Sequence, residues 1–389
     1  MFSDLDPALY FDCSATTPPR PEAIAAVMQA MQSEWGNPSS LHLWGQRAAT
    51  MVEIARQQVA SAIGAQSDRV TFTSGGTEAD NLAVMGIARR YVRPQHLIIS
   101  SVEHAAIENT ARRLEGDGWS VTRLPVSAEG RVDPDTLTEA LQDNTVLVSV
   151  IHAQSEVGTI QPIAELGEIC RAAGVPFHSD AVQTVGRIPI DVTALPVDLL
   201  SLSSHKIYGP QGAGALYVRP DLELLPRALG GKQENQLRAG TQAVPAIAGF
   251  GIAAQLVCEE IRTETARLRS LQKRLAEALA DIPELALTGA RNLEERLPHH
   301  LSYVVGDRTG EWLVLQLSQQ GMAISSGSAC NSGQLTPSRV LVAMGCEPER
   351  ALGAIRLTLG RHSTEEGCDR LAAAIRTILS REVLSATAV

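Results

Sequence analysis

Lysine is almost missing from this chain of 389 residues: Lys206, Lys232 and Lys273 stand against thirty arginines. Acidic residues outnumber basic ones, 43 to 33, giving a formal charge of −10 and a pI near 5.4. That balance argues against nucleic acid or an anionic membrane surface as a partner. Cysteine is sparse too, and Cys13, Cys170, Cys258, Cys330, Cys346 and Cys368 form neither a CxxC pair nor a zinc-like spacing. A disulfide framework and a structural metal site are therefore not expected. Met1-Phe2-Ser3-Asp4-Leu5-Asp6 has no basic leader segment, and no apolar run is read as reaching membrane-spanning length. A cytoplasmic enzyme is the expectation. With 44% hydrophobic residues and mean hydropathy near zero, the chain has the composition of a folded globule, and its length calls for two or three domains.

Hydrophobic patterning predicts an alternation of strand and helix. After helices over about Arg20–Ser33 and Gln46–Ile63, strands are expected at Val70–Ser74, His96–Ser100, Val121–Val126, Thr145–Ile151, Pro176–Ser179, Leu199–Ser203 and Gly214–Arg219. Helices are expected between them at Thr77–Tyr91, Ala105–Glu115, Asp133–Leu141 and Pro162–Ala173. This rhythm predicts an α/β fold, a mostly parallel seven-stranded sheet with helices on both faces. From Pro245 to about Ile282 a long helical pattern passes between domains, followed by a smaller α+β domain. The expected division is a large domain over 14–258 and a small one made of 1–13 and 259–389.

Ligands of such sheets bind beyond the carboxyl ends of the strands. Those ends supply Ser74-Gly75-Gly76-Thr77 opening a helix, Glu103-His104, Gln154-Ser155-Glu156, Asp180 with Gln183, and His205-Lys206. A glycine-threonine helix start seats a phosphate through free N–H groups and the positive dipole end, although the same residues are common helix punctuation. It has the spacing of neither a P-loop nor GxGxxG, so a dinucleotide is not expected. Lys206 follows a buried strand, where desolvation lowers an amine's pKa and lets it condense with a carbonyl; alone, it also fits an anchoring surface lysine. Asp180 fits a helix cap, or a carboxylate that keeps a pyridine nitrogen protonated. His104 fits a cap, or a ring stacked on an aromatic cofactor. Taken jointly, they point to pyridoxal 5'-phosphate (PLP).

Nine stretches in order carry a resemblance. They are Ser14-Ala15-Thr16-Thr17-Pro18, Gly36 to Ser40, Thr73 to Glu78, Glu103-His104, His178 to Gln183, Ser203 to Pro210, Arg238-Ala239-Gly240-Thr241, Ser325 to Cys330, and Ile355 to Arg361. Through them the chain resembles the cysteine desulfurases, class V aminotransferase-like PLP enzymes of fold type I, nearly from end to end. The long stretch around Cys330 is similar to the branch serving iron–sulfur cluster and thiolation pathways. The resemblance implies Lys206 as the Schiff-base lysine, Asp180 at the pyridine nitrogen, His104 on the ring and Gln183 at its phenolic oxygen. Gly76, Thr77, Ser203 and His205 would hold the phosphate, with Thr241 reaching it from a neighbouring subunit, which implies a homodimer. Arg356 would clamp the substrate carboxylate near Asn37, and Cys330 would be the nucleophile.

The implied reaction converts L-cysteine to L-alanine and leaves the sulfur on Cys330 as a persulfide for an acceptor protein such as an iron–sulfur scaffold. Selenocysteine or cysteine sulfinate lyase activity, and a partner-activated sulfur-delivery component, are the alternatives. Ser155 departs from the family's usual asparagine; serine is shorter, so water or Gln154 is expected to fill its place.

Overall fold

Leu97 and Ile99 point to one side of their strand and Ile98 to the other, and this two-residue period recurs in Leu199, Leu200 and Leu202. Strands buried on both faces need helices above and below. The computed structural model describes residues 5–327, 329–331 and 334–386. Helices α1 (Pro21–Ser33) and α2 (Leu43–Ser61) precede β1 (Val70–Thr73). Next come α3 (Gly76–Ala88), β2 (His96–Ser100), α4 (Ala105–Gly116), β3 (Ser120–Leu124), α5 (Pro134–Ala140) and β4 (Thr145–Ser149). They are followed by α6 (Ile163–Ala173), β5 (Phe177–Asp180), β6 (Leu199–Ser203) and β7 (Gly214–Val218). The seven strands form one sheet in the order β1-β7-β6-β5-β4-β2-β3.

Only β7 runs against its neighbours, β1 and β6. The carboxyl ends of the other strands therefore share one rim. One face of the sheet packs against α1, α2, α6 and the helix after β7, and the other against α3 and α4. Each fully buried leucine or isoleucine contributes about 1.5–3 kcal/mol.

Helix α7 (Val244–Leu279) is long and apolar enough by composition to cross a bilayer, which corrects the reading that no such run exists. It lies in both cores: Ile247, Phe250, Ala253 and Val257 join the larger one. Leu268, Leu271, Leu275 and Leu279 join a smaller one that also takes in Leu9 and Phe11. The smaller core covers a sheet ordered β10-β13-β9-β8. Its strands are β8 (Leu285–Leu287), β9 (His300–Val305), β10 (Ser325–Ser326) and β13 (Ala354–Thr358), with α8 (Gly310–Ser318) and α11 (Glu365–Ala386) packed on it. A hairpin of β11 (Ala329–Asn331) and β12 (Gln334–Thr336) precedes α9 (Arg339–Ala343) and α10 (Pro348–Ala351).

The N-terminal segment straps the two sheets together. Phe11 N–H donates to Ala323 and accepts from Thr358 N–H through its carbonyl, both at 2.8 Å. Farther along, Thr17 N–H donates to the carbonyl of His205 at 2.9 Å.

Candidate active site

A cavity of about 270 Å³ opens at the shared rim. Ser14, Gly76, Thr77, His104, Ser155, Asp180, Gln183, Ser203, His205, Lys206 and Arg356 all border it, together with Asp80, which the sequence did not single out. Residues from Ser14 to Arg356 are thus brought to a single hollow.

Lys206 ends a short 3₁₀ turn directly after β6. Its Nζ donates to the carbonyls of Ser14 at 2.6 Å and Ala15 at 2.7 Å, so the strap aims the amine. Burial, reinforced by the positive charge of Arg356, brings its pKa down to about 8 against the pull of Asp12 and Asp180. Next to it, His205 Nδ1 meets Thr16 Oγ1 at 3.1 Å. Burial and the Lys206 charge lower that imidazole to about 4, so it is neutral at physiological pH.

The first turn of α3 faces the same hollow. Its N-cap is Gly75, which has no side chain to satisfy the free amide groups. A Cβ at Gly76 would come within 2.7 Å of Val182 Cγ2 and 3.6 Å of Ser203 Cβ, so only glycine leaves this wall open. Ser203 Oγ is buried with no hydrogen-bond partner. Uncapped N–H groups, a free hydroxyl and a helix dipole together make an anion seat.

Asp180 closes β5, and its Oδ1 accepts from Val182 N–H at 2.9 Å. Burial raises this carboxyl, opposed by His104, the Val182 N–H and Lys206. His104 is the N-cap of α4, its Nδ1 accepting from Ala106 N–H at 3.2 Å. Gln183 Nε2 donates to Ser14 O at 3.0 Å.

Arg356 rises from β13, in the other sheet. Its Nη2 donates to Asp12 Oδ1 at 2.7 Å and its Nη1 to the Ser155 carbonyl at 3.1 Å, while Nε is buried without a partner. The Ser155 carbonyl also accepts from His300 Nε2 at 2.9 Å. Gly158 makes that approach possible: at φ +75° a Cβ there would lie 2.6 Å from the His300 ring. Gln154 does not take over the role expected of it. Its Nε2 donates to Val102 O at 3.1 Å and its Oε1 accepts from Glu156 N–H, so the amide is engaged away from the cavity.

Two positions lie elsewhere. Asn37 is exposed before α2, its Oδ1 accepting from Ser39 N–H at 2.9 Å, and it does not border the cavity. Thr241 is exposed and likewise absent from this chain's own cavity wall. Cys330 lies on β11, but its side chain falls outside the described part of the structure. Ser325 pairs directly with Arg356, so the segment bearing Cys330 departs from beside the cavity. At its far end, Ser338 Oγ donates to Glu156 Oε2 at 2.5 Å.

Sequence reasoning passed over Asp12 and named Glu103 only together with His104, giving it no role of its own. The Glu103 side chain is buried, takes donors from Ser100 Oγ and Ile151 N–H, and is pushed up to about 8 by desolvation. Its place beside His104 was the available signal.

The arrangement offers an amine that loses its proton near pH 8, an anion seat, a buried carboxylate and a guanidinium with an open side. Comparison with known proteins agrees with that chemistry. The family described as Aminotransferase class-V matches residues 9–371. The chain is 44% identical over 375 residues to a cysteine desulfurase IscS of Methanosarcina thermophila, spanning 96% of this chain and 92% of that one. It is 45% identical over 360 residues to a cysteine desulfurase IscS of Dictyoglomus turgidum, at 92% and 91% coverage. A solved NifS-like protein superposes with a TM-score of 0.90 at 34% identity, over 96% of this chain and 99% of that one. A structure of SspA in complex with cysteine superposes with a TM-score of 0.80, also at 34% identity, over 91% and 99%.

Proposed function

Because the chain belongs to the class-V aminotransferase family, as a cysteine desulfurase, we propose that its cavity binds pyridoxal 5'-phosphate at Lys206 and that Cys330 receives the substrate sulfur. The observation that carries this reading is Lys206 Nζ, held by the Ser14 and Ala15 carbonyls in the same cavity as Asp180 and the uncapped start of α3.

The residues fit the group. The first-turn N–H groups of α3 at Gly76 and Thr77, the unpartnered Ser203 hydroxyl and neutral His205 suit a phosphate. Asp180 suits a protonated ring nitrogen, His104 a ring face, and Gln183 a phenolic oxygen. Bound there, pyridoxal phosphate supplies an electron sink for charge released at the substrate's Cα.

The chain's own residues do the rest. Arg356 takes the carboxylate of L-cysteine through a planar fork, beside Ser155. Lys206, partly uncharged near pH 8, removes the Cα proton and returns a proton to the carbon skeleton. The Cys330 thiolate attacks the substrate sulfur. The S–S bond forms as the C–S bond breaks, the carbon that loses sulfur takes up a proton, and alanine leaves. One cysteine and one Cys330 thiol become one alanine and one persulfide, so no oxidant is consumed. An acceptor protein, an iron–sulfur scaffold or a thiolation enzyme, then collects the sulfur.

A homodimer is part of this proposal. Met28, Met31, Trp35, Leu41, Leu43 and Trp44 form an exposed apolar face around α1 and α2, and exposed Thr241 is free to reach a partner's phosphate seat. A reducing, cytoplasmic setting suits a reactive thiol, and Cys13, Cys170, Cys258, Cys346 and Cys368 are all unpaired.

The test is direct. Protein reconstituted with pyridoxal phosphate should develop a visible absorbance that borohydride bleaches, leaving the reduced adduct on Lys206 by peptide mapping. An adduct on Lys232 or Lys273, or none, would remove the assignment. With L-cysteine and a reductant, alanine and sulfide should appear in equal amounts, and Cys330→Ala should keep the adduct while losing the persulfide.

A further inference from the structure

Asp80 has no part in the reaction just described, yet it is 1% exposed and borders the cavity. Its carboxylate, that of Asp180 and the His104 ring offer atoms lying within 4.8 Å of one another. Asp80 Oδ1 has no hydrogen-bond partner. The nearest basic nitrogen, His178 Nε2, is 3.8 Å away, beyond hydrogen-bond reach. That imidazole is also neutral, because burial brings it down to about 3. No lysine or arginine pairs with Asp80 among the described residues.

The residue is nonetheless firmly placed. Ser149 Oγ meets His178 Nδ1 at 2.9 Å, His178 Nε2 meets Ser201 Oγ at 3.0 Å, and Ser201 lies close enough to Asp80 to favour its charged form. This polar chain crosses β4, β5 and β6 and brings His178 Nε2 to 3.8 Å from Asp80 Oδ1. Two buried carboxylates so close together cannot both stay ionised, since like charge and desolvation act in the same direction.

We propose that Asp80 and Asp180 share one proton, and that Asp80 holds it as a neutral acid whose O–H points at Asp180, a positioning residue for that carboxylate. The surrounding groups decide which of the two is neutral. On the Asp180 side lie His104 from the start of α4, Lys206 from the turn after β6, and the Val182 N–H, all favouring negative charge. On the Asp80 side lie Ser201 and neutral His178, with no lysine or arginine among the described residues. Glu103 Oε1 accepts from Ser100 Oγ and Ile151 N–H while its Oε2 has no partner, so Glu103 is a third buried acid beside the pair, and labelling aspartate alone separates its band from theirs. An O–H donated by Asp80 fixes the rotamer of Asp180 and keeps its charge facing the cavity. Its consequence for cofactor binding rests on the function proposed above; the position of the proton rests on the geometry alone.

Infrared spectroscopy of the apoprotein, with aspartate carboxyl carbons isotopically labelled, tests the proton directly. A labelled carbonyl stretch of a neutral carboxylic acid is expected at pH 7, and it should vanish in Asp80→Asn. Its absence from the wild-type protein, its survival in Asp80→Asn, or a divalent cation bound at these three side chains would overturn the proposal. The wild-type spectrum decides the matter even where the variant folds poorly.

A second measurement reads position and not bulk structure. In equilibrium dialysis against pyridoxal phosphate, Asp80→Asn retains a donor and should bind close to wild type. Asp80→Leu removes it and should bind roughly ten- to a hundredfold more weakly, as expected for a hydrogen bond to a charged group. Equal losses in both variants, or none in either, would overturn the positioning role. A wild-type apoprotein that shows the acid band yet binds no pyridoxal phosphate would overturn the proposed function and leave the shared proton standing.

Discussion

The guanidinium of Arg356 is already paired in the free protein: its Nη2 lies 2.7 Å from Asp12 Oδ1. Asp12 belongs to the N-terminal strap and Arg356 to β13, so the ion pair also joins the strap to the small sheet. On the proposed function, a substrate carboxylate arriving at Arg356 would meet an anion already in place.

Asp12→Asn should therefore lower the KM for L-cysteine. The pair is largely but not wholly buried, with the two side chains 11% and 20% exposed. Its strength is that of a modest ion pair, which corresponds to about a two- to fivefold change. Steady-state kinetics at several ionic strengths checks this. A KM that rises in Asp12→Asn would identify Asp12 as a support for Arg356 and not a competitor.

Lys206 makes a second outcome readable without any cofactor. Its pKa is about 8 in the folded chain against 10.5 as a free side chain. Between those values the unfolded chain binds more protons at this site than the folded one, so stability attributable to Lys206 rises as pH rises. That contribution is complete above about pH 10.5 and is lost as pH falls to 8. Apoprotein melting curves of wild type and Lys206→Met should accordingly shift relative to each other, in favour of the wild type, from pH 8 to 10.5. Parallel curves across that window would mean the amine is not desolvated.

The base of the Cys330 segment supplies a third. Ser338 Oγ donates to the half-buried Glu156 carboxylate and accepts from Leu341 N–H at 3.1 Å, capping α9. Gly327, on the other side, sits where a Cβ would be 2.7 Å from Ala354 Cβ and 3.4 Å from Glu156 Oε2. Ser338→Ala removes the cap, at a cost of about 1 kcal/mol, and frees the Glu156 carboxyl. Persulfide formation on Cys330 should slow while the absorbance of the bound cofactor stays at wild-type level. Loss of both together would mean the residue serves global stability instead.

Much of this site was legible in the chain itself, for reasons that can be named. Lys206 stood out because the sequence has so few lysines and because it follows an apolar run that could only be a buried strand. Asp180 and His104 fell at strand ends, where a mostly parallel sheet gathers side chains. Asp80 was invisible: within Glu78-Ala79-Asp80-Asn81 it reads as a solvated face of α3, and only packing against His178 and Asp180 shows otherwise. The acceptors of the lysine were hidden as well, because backbone carbonyls of Ser14 and Ala15 leave no trace in residue type. β8 and β10 were missed because strands of two or three residues carry too little alternation to register. β7 fits the apolar pattern of its neighbours, and its reversed direction follows from the short turn after Lys206, which leaves no room for a crossover helix.

The strap has a bearing on how the chain comes to life on the ribosome. Phe11 and Asp12 are made long before their partners Ala323, Arg356 and Thr358. The large sheet can assemble as its strands emerge and can hold Ser14 and Thr17 through Gln183 and His205, whereas the contacts of Phe11 and Asp12 wait for residues made far later. A product cut short before β13 would therefore keep the carbonyls that hold Lys206 while lacking the guanidinium that forms the opposite wall of the cavity.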